Sequence, residues 1–354
     1  MFRRILVPLD GSERAERALP VAARLARASH GTLIVVQAID INMNLYAVPE
    51  MMVTESVVET ESSEVDDYLT QVTAPFKQEG IPIEQIVLFG IPAFLLLSTI
   101  TSSNIDLVVM CSHGRTGFTH WALGSVTEKI ARLSPVPTLV LREHNPISAI
   151  PHLGPTHPLR ILVPLDGSIA SKTAIEPAAA LIAALAVPAS GALHLTRVVQ
   201  PTENDIVGHY QRNMDDLVQK TRQSLQKTAK NVRDGFEASS VAPLGLDISC
   251  SVAIDTDSAQ AIIRIAEHGE DAEDDGVFSG CDVIAMATHG RTGIDRLTMG
   301  SITERVVHAT QLPILVVPIP HNVVQKAADE KQNRGERSAS LPRYELFETN
   351  EAAR

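Results

Sequence analysis

Aromatic residues make up only 4% of this 354-residue chain, with a single tryptophan, so any core has to be built from Val, Ile, Leu and Ala. Cysteine is equally scarce. Cys111, Cys250 and Cys281 are an odd, widely spaced set, unlike a disulfide framework, and a reducing cytoplasm is the expected setting. No CxxC pair or Cys/His cluster has the spacing of a zinc site, and no metal ligands are expected. Apolar runs are short: Ile91–Leu97 is among the longest, far below the ~20 residues of a membrane-spanning helix. Met1-Phe-Arg-Arg leads directly into a strand-like run and Asp10, so no secretory leader is expected. Basic residues are in deficit, 30 against 42 acidic ones, for a formal net charge of −12. A general nucleic-acid binder needs a basic stripe to displace counterions, and a membrane-surface protein needs a polybasic patch. Neither partner is expected.

What is present is 44% hydrophobic residues and a length that suits two domains. Internal comparison sets the organisation. Arg4-Ile-Leu-Val-Pro-Leu-Asp-Gly-Ser12 returns almost unchanged as Arg160–Ser168, 156 residues later. Ser112-His-Gly-Arg-Thr-Gly117 returns as Thr288–Gly293, 176 residues later. Leu123-Gly-Ser-Val-Thr-Glu128 is matched by Met299-Gly-Ser-Ile-Thr-Glu304, and each copy closes on a Pro and an apolar run, Pro137–Leu141 and Pro313–Val317. The chain is a tandem duplication, with copies at residues 1–143 and 158–320. Residues 144–157, rich in Pro, His and Gly, read as a linker, and residues 321–354, polar and without apolar periodicity, as a disordered tail. Part of the second copy's extra length is Glu267–Gly280, which reads as an acidic surface loop.

Within each copy strands and helices alternate. Ile5–Leu9 is a continuous apolar run, as in a strand covered on both faces. Ala15, Ala18, Leu19, Ala22, Ala23 and Ala26 follow at helical spacing. Thr32–Ala38, Ile86–Phe89, Leu107–Cys111 and Thr138–Leu141 are the further strands, and Val126–Leu133 the last helix. The second copy repeats the order through Ile161–Leu165, Ala178–Ala186, Ala192–Val199, Asp247–Val252, Val283–Ala287, Thr303–Ala309 and Ile314–Val317. Such alternation predicts a parallel sheet with right-handed crossovers, and ligands of such sheets sit outside the carboxyl ends of the strands where strand order reverses. Glu59–Asp67 reads as a charged helix face and Met43–Met52 as a loop beside the site.

Two blocks fall at those carboxyl ends. Pro8-Leu9-Asp10 and Pro164-Leu165-Asp166 follow the first strand of each copy. Gly114, nine residues, then Gly124-Ser125, and Gly290, nine residues, then Gly300-Ser301, follow the fourth. Glycines let backbone amides approach a phosphate closely, and a helix N-terminus behind them adds unpaired N–H groups and a favourable dipole. The hydroxyls of Ser125, Thr127, Ser301 and Thr303 can donate to phosphate oxygens. The same residues admit plainer roles. Ser125-x-x-Glu128 and Ser301-x-x-Glu304 have the pattern of capping boxes, and Asp10 and Asp166 can cap the helix that follows them. His113 and His289 read as hydrogen-bonded loop residues, Cys111 as a small buried residue, and Arg115 and Arg291 either reach phosphates or face solvent.

The pairing of a strand-end aspartate with this glycine pattern, seen twice, resembles the universal stress protein family of the ATP-binding type, over both copies. Its signature is G-x2-G-x9-G-[S/T]; here the first glycine is Cys111 in one copy and Ala287 in the other, both small. The family often has a glycine after the third strand, supplied by Gly90 in the first copy and absent from the matching Ser251-Val-Ala253. The resemblance implies two tandem flavodoxin-like (Rossmann-like) domains, each a five-stranded, mostly parallel sheet with helices on both faces. It implies ATP, with or without Mg2+, bound between the ends of strands 1 and 4. Asp10 and Asp166 would lie near the nucleotide, the backbone at Ala38 and Val198 would flank adenine, and Met110 and Met286 would lie near the ribose. Gly114, Gly124 and Ser125, with Gly290, Gly300 and Ser301, would hold phosphates, and Pro8, Leu9, Arg115, Val126 and Thr127, with Pro164, Leu165, Arg291, Ile302 and Thr303, complete the candidate set.

Without a GxxxxGK[ST] loop or an evident base, fast phosphoryl transfer is not expected. The favoured expectation is a non-enzymatic, nucleotide-dependent stress regulator whose copies form an intramolecular pseudo-dimer through Thr138–Leu141 and Ile314–Val317, with pairing of two tandem chains as a further assembly. A slow ATPase, or an interaction protein with degenerate pockets, are the alternatives.

Overall fold

The computed structural model describes residues 2–40, 55–112, 123–142, 158–186, 191–201, 211–272, 276–278, 280–289, 299–320 and 323. Met43–Met52, His113, Gly114, Arg115, Gly290, Arg291, the linker and, Val323 apart, the tail lie outside them.

The first copy runs β1 (Arg4–Leu9), α1 (Glu13–Glu16), α2 (Ala18–Ser29), β2 (Thr32–Ile39), α3 (Glu55–Gln78), β3 (Ile83–Phe89), α4 (Pro92–Ser102), β4 (Leu107–Cys111), α5 (Ser125–Leu133) and β5 (Thr138–Leu141). The second runs β6 (Leu159–Pro164), α6 (Ile169–Lys172), α7 (Ile175–Leu185), β7 (Gly191–Val199), α8 (Gln211–Arg233), β8 (Asp247–Ile254) and α9 (Ser258–His268), then β9 (Glu270–Ala272), β10 (Gly276–Phe278), β11 (Val283–Ala287), α10 (Ser301–Ala309) and β12 (Ile314–Val317).

Two elements differ from the sequence reading. Strand β3 begins at Ile83 rather than Ile86, with Ile83 already in register with Leu33 of β2. Polar Glu84 and Gln85 hide its start from a hydrophobicity pattern; at this sheet edge they find partners, Glu84 in Arg4 and Gln85 in the Thr73 hydroxyl of α3. The stretch from Glu267 is not simply a loop. Helix α9 continues to His268, and β9 and β10 then pair antiparallel as a small separate hairpin.

The ten remaining strands form one sheet in the order β3-β2-β1-β4-β5-β12-β11-β6-β7-β8. Neighbours within each copy are parallel,. The copies meet where β5 and β12 pair antiparallel, Val140 facing Ile314, Leu139 facing Leu315 and Thr138 facing Val316. Both strands are wholly buried.

The aromatic-poor composition is answered by small and branched side chains. On one face, α2 and α7 contribute Ala18, Leu19, Ala22, Leu25 and Ile175, Ala178, Leu181, Ile182 to one apolar layer that spans both copies. On the other face α4 and α5 cover the first copy over Leu6, Ile34, Val108 and Met110, and α9 and α10 cover the second over Leu162, Ile284 and Met286. Polar contacts also cross the junction. Arg24 donates to the Leu185 carbonyl, Arg132 pairs with both Glu128 and Glu304 at 3.1 and 3.4 Å, and buried Arg142 donates to the carbonyl of Val307. Burial lowers the Arg142 pKa to about 10.

One buried polar group has no counterpart in the first copy. Position 194 holds histidine where the equivalent strand residue is Ile34, and its ring nitrogens lie 2.8 Å from Ser249 Oγ and 2.9 Å from Ser251 Oγ. Burial, helped by the charge of Arg160, pushes its pKa down to about 4. The folded chain therefore binds this proton more weakly than the unfolded chain, whose histidine titrates near 6.5. Its contribution is fully present above ~6.5 and is lost as pH falls toward 4, about 3 kcal/mol by the linkage relation. Urea titrations between pH 7 and 4 should show this loss, and His194→Gln should flatten it while lowering stability at pH 7. An acid slope identical in the variant would assign the loss to other groups.

Candidate functional site

The crevices arise from the way the sheet splays. Strand β1 pairs with β2 along its whole length, Arg4 through Leu9, but with β4 only at Ile5 and Leu6. Beyond Leu6 the two strands part, at the point where strand order reverses. The second copy repeats this, β6 meeting β11 only at Ile161 and Leu162. Each opening has Asp10 or Asp166 on one side and Ser112 or Thr288 on the other.

On the first side, Gly11 and Gly167 take φ of 79° and 85°, a left-handed conformation that turns the chain sharply into the next helix. Neither aspartate is the helix cap. Ser12 and Ser168 are, accepting from the amides of Ala15 and Ser171 at 3.2 and 3.1 Å. Asp10 Oδ1 in turn accepts from the Ser12 amide and hydroxyl at 3.1 and 2.6 Å, and Asp166 Oδ1 from those of Ser168 at 2.9 and 2.6 Å. The aspartates lock the capping serines at the strand ends.

On the other side, the excursions after β4 and β11 close at a neck: the Gly124 amide donates to the Ser112 carbonyl and the Gly300 amide to that of Thr288, both at 2.8 Å. Gly124 and Gly300 have φ of −62° and −61°, so positive φ is not why glycine stands there. At Gly300 close approach is: a methyl group there would lie 3.2 Å from the Thr288 carbonyl oxygen. These glycines are the N-cap residues of α5 and α10, and no side chain caps either helix among the described residues. The capping-box reading therefore fails, because Ser125 and Ser301 stand one position inside the helix. Both are exposed and make no hydrogen bond among the described residues. Thr127 and Thr303 are buried instead, their hydroxyls donating to the carbonyls of Cys111 and Ala287 at 3.0 and 2.9 Å. They pin each helix to the end of β4 or β11.

The other candidates divide in the same way. Leu9 and Leu165 belong to the core, as do Met110 and Met286, 5% and 6% exposed; only their backbone borders the openings. Pro8, Pro164, Ala38, Val198 and Val126 are half-buried, and Ile302 is 40% exposed at the start of α10. Cys111 is half-buried, its Sγ 3.9 Å from the Ala15 carbonyl oxygen. His289 is buried with Nδ1 3.2 Å from the Thr288 hydroxyl. No group of three metal-ligating side chains occurs among the described residues.

The register also corrects the position equivalent to Gly90. Its amide donates to the Ile39 carbonyl, and the amide that donates to the equivalent Val199 carbonyl is that of Asp255, beyond Ser251–Ala253. Sequence reading missed this residue, the two capping serines, and Gln37 and Arg197, which occupy the same place one residue before Ala38 and Val198. Extending the repeat alignment through the second strand would have exposed that last difference.

The description "Universal stress protein family" matches residues 1–142 and 159–318, most of the chain. The chain belongs to the universal stress protein family. A universal stress protein from Bacillus subtilis, YxiE, is 29% identical over 151 residues, 40% of this chain and 100% of its own length. Another from Synechocystis, Sll1654, is 30% identical over 40% of this chain and 86% of its own length. Each thus corresponds to one copy. A solved universal stress protein from Archaeoglobus fulgidus covers 89% of this chain and 98% of its own, at 19% identity and a TM-score of 0.58, so the tandem fold as a whole has a known counterpart.

The caps of this universal stress protein make a direct test. Ser12→Ala and Ser168→Ala should each lower stability by about 1 kcal/mol, read from chemical denaturation, whereas loss of Asp10 or Asp166 should cost less because the serine cap remains. The opposite ranking would make the aspartates the primary caps.

Proposed function

We propose that this universal stress protein binds adenine nucleotide at the strand-order reversal and acts in the cytoplasm as a nucleotide-dependent regulator, not as a fast enzyme. One observation carries the reading. Beside each splayed strand pair stands a helix start whose N-cap is a glycine, uncapped by any side chain among the described residues, with an exposed serine hydroxyl at the next position. The first-turn amides of a helix favour an anion there, and the tight pass of Gly300 against the Thr288 carbonyl oxygen holds the start of α10 at the end of β11. Phosphates would be held by the amides at the starts of α5 and α10 with Ser125 and Ser301, and the nucleoside would lie toward Asp10 or Asp166 and the backbone at Ala38 or Val198. Thr127 and Thr303 act by positioning those helices. The sequence has no GxxxxGK[ST] loop to supply the lysine and phosphate cradle of fast phosphoryl transfer, so any ATPase activity should be slow. Residues 1–143 and 158–320 would form the two units, each with one candidate crevice, and 144–157 their linker.

Denaturing freshly purified protein and running the supernatant on anion exchange against ATP, ADP, AMP and cAMP standards should reveal bound adenine nucleotide. Absence of nucleotide, with no shift in melting temperature on adding ATP and magnesium, would leave an interaction module. The chain with both Ser125→Asp and Ser301→Asp separates phosphate binding from folding. A carboxylate in the first turn stabilises a helix by about 0.3–1 kcal/mol but repels phosphate. Compared with both proteins stripped of nucleotide, melting temperature should therefore hold or rise, while nucleotide retained on purification disappears; retention at the wild-type level would remove these helix starts from the binding reading.

A further inference from the structure

The duplicated crevices differ at one interior position. Leu9 lies opposite Gln37 in the β1–β2 ladder. In the second copy Pro164 lies opposite Thr196 as Pro8 lies opposite Val36, which makes Arg197 the equivalent of Gln37. Gln37 is 9% exposed, and its Oε1 is buried without a hydrogen-bond partner among the described residues. A buried amide oxygen left so costs free energy unless something donates to it. It sits at the carboxyl end of β2, beside Ala38, on the nucleoside side of the first opening.

Arg197 makes the second opening different. Its guanidinium lies on the turn that carries Asp166: a methyl group on Gly167 would be 2.6 Å from Nη1 and 2.9 Å from Cζ. A guanidinium has five donors and no acceptor, so it cannot receive a proton from a ligand as Gln37 can. The rim has changed as well. After β3 the chain leaves through Gly90 at φ 134°; after β8 the equivalent Asp255 turns inward on its own helix, accepting from the Asp257 amide at 2.9 Å.

We infer that the two crevices are unequal: the first, where Gln37 offers an acceptor to an N–H or O–H of the nucleoside, binds adenine nucleotide, and the second is filled on that side by Arg197. The chain then carries one nucleotide, not two. This rests on the nucleotide reading above, and the experiment separates the two.

Equilibrium dialysis with labelled ATP and magnesium, after removal of any retained nucleotide, gives the stoichiometry directly. Wild type should bind one per chain, Arg197→Gln two, and Gln37→Arg none. Melting temperatures confirm that each variant folds; should Gln37→Arg fail to, Arg197→Gln decides alone. Two nucleotides in wild type would overturn the inequality, and one in Arg197→Gln would overturn its assignment to Arg197, either result leaving nucleotide binding intact. None in wild type and none in Arg197→Gln would overturn nucleotide binding itself, and the inequality with it.

Discussion

The architecture hangs on one short backbone ladder, the antiparallel pairing of Thr138–Leu141 with Ile314–Val317. Every residue of both strands is buried. Left unpaired, either strand would be a flat, apolar sheet edge with free N–H and C=O groups, the kind of surface that recruits other chains. Pairing the copies through these edges satisfies the backbone internally and turns two five-stranded sheets into one of ten. The layer on one face then becomes continuous across the junction, which is why an aromatic-poor chain still assembles a large core from alanine and branched aliphatics.

The same junction ties the candidate sites to each other. Helices α5 and α10 begin at the two openings and reach toward the shared ladder. Arg132, in the last turn of α5, pairs with Glu304 in the first turn of α10, and Arg142, just past β5, is buried against the carbonyl of Val307 in α10. The elements that would face phosphate are thus also the elements that hold the copies together.

Duplication has left the scaffold nearly symmetric and the polar details unequal. The capping serines, strand-end aspartates, neck hydrogen bonds and buried threonines recur with distances that agree to within about 0.2 Å,. The changes concentrate in the β7–β8 region. Histidine replaces Ile34 and arginine replaces Gln37, while Asp255 takes the place of Gly90. Backbone geometry tolerates little drift where strands pair, but a strand residue pointing into a polar opening is free to change its chemistry.

Much was decided by local pattern alone. The repeat, the strand and helix order, and the placement of Asp10, Asp166 and the glycine blocks at strand ends follow from apolar periodicity and from near-identical segments, because parallel strands buried on both faces have to be continuous apolar runs. Pattern failed where polar residues are satisfied by distant partners. The start of β3 depends on Arg4 and Thr73, and the β9–β10 hairpin depends on its own pairing. Only the tertiary structure decided that Ser12 and Ser168, not the aspartates, are the caps, and that Ser125 and Ser301 lie inside their helices. It alone brought Thr127 and Thr303 under the ends of β4 and β11 and laid Arg197 on the Asp166 turn. The physical reason is common to all of these: a short polar side chain has several hydrogen-bonding roles open to it within its own segment, and the choice among them is made by groups far away in the chain.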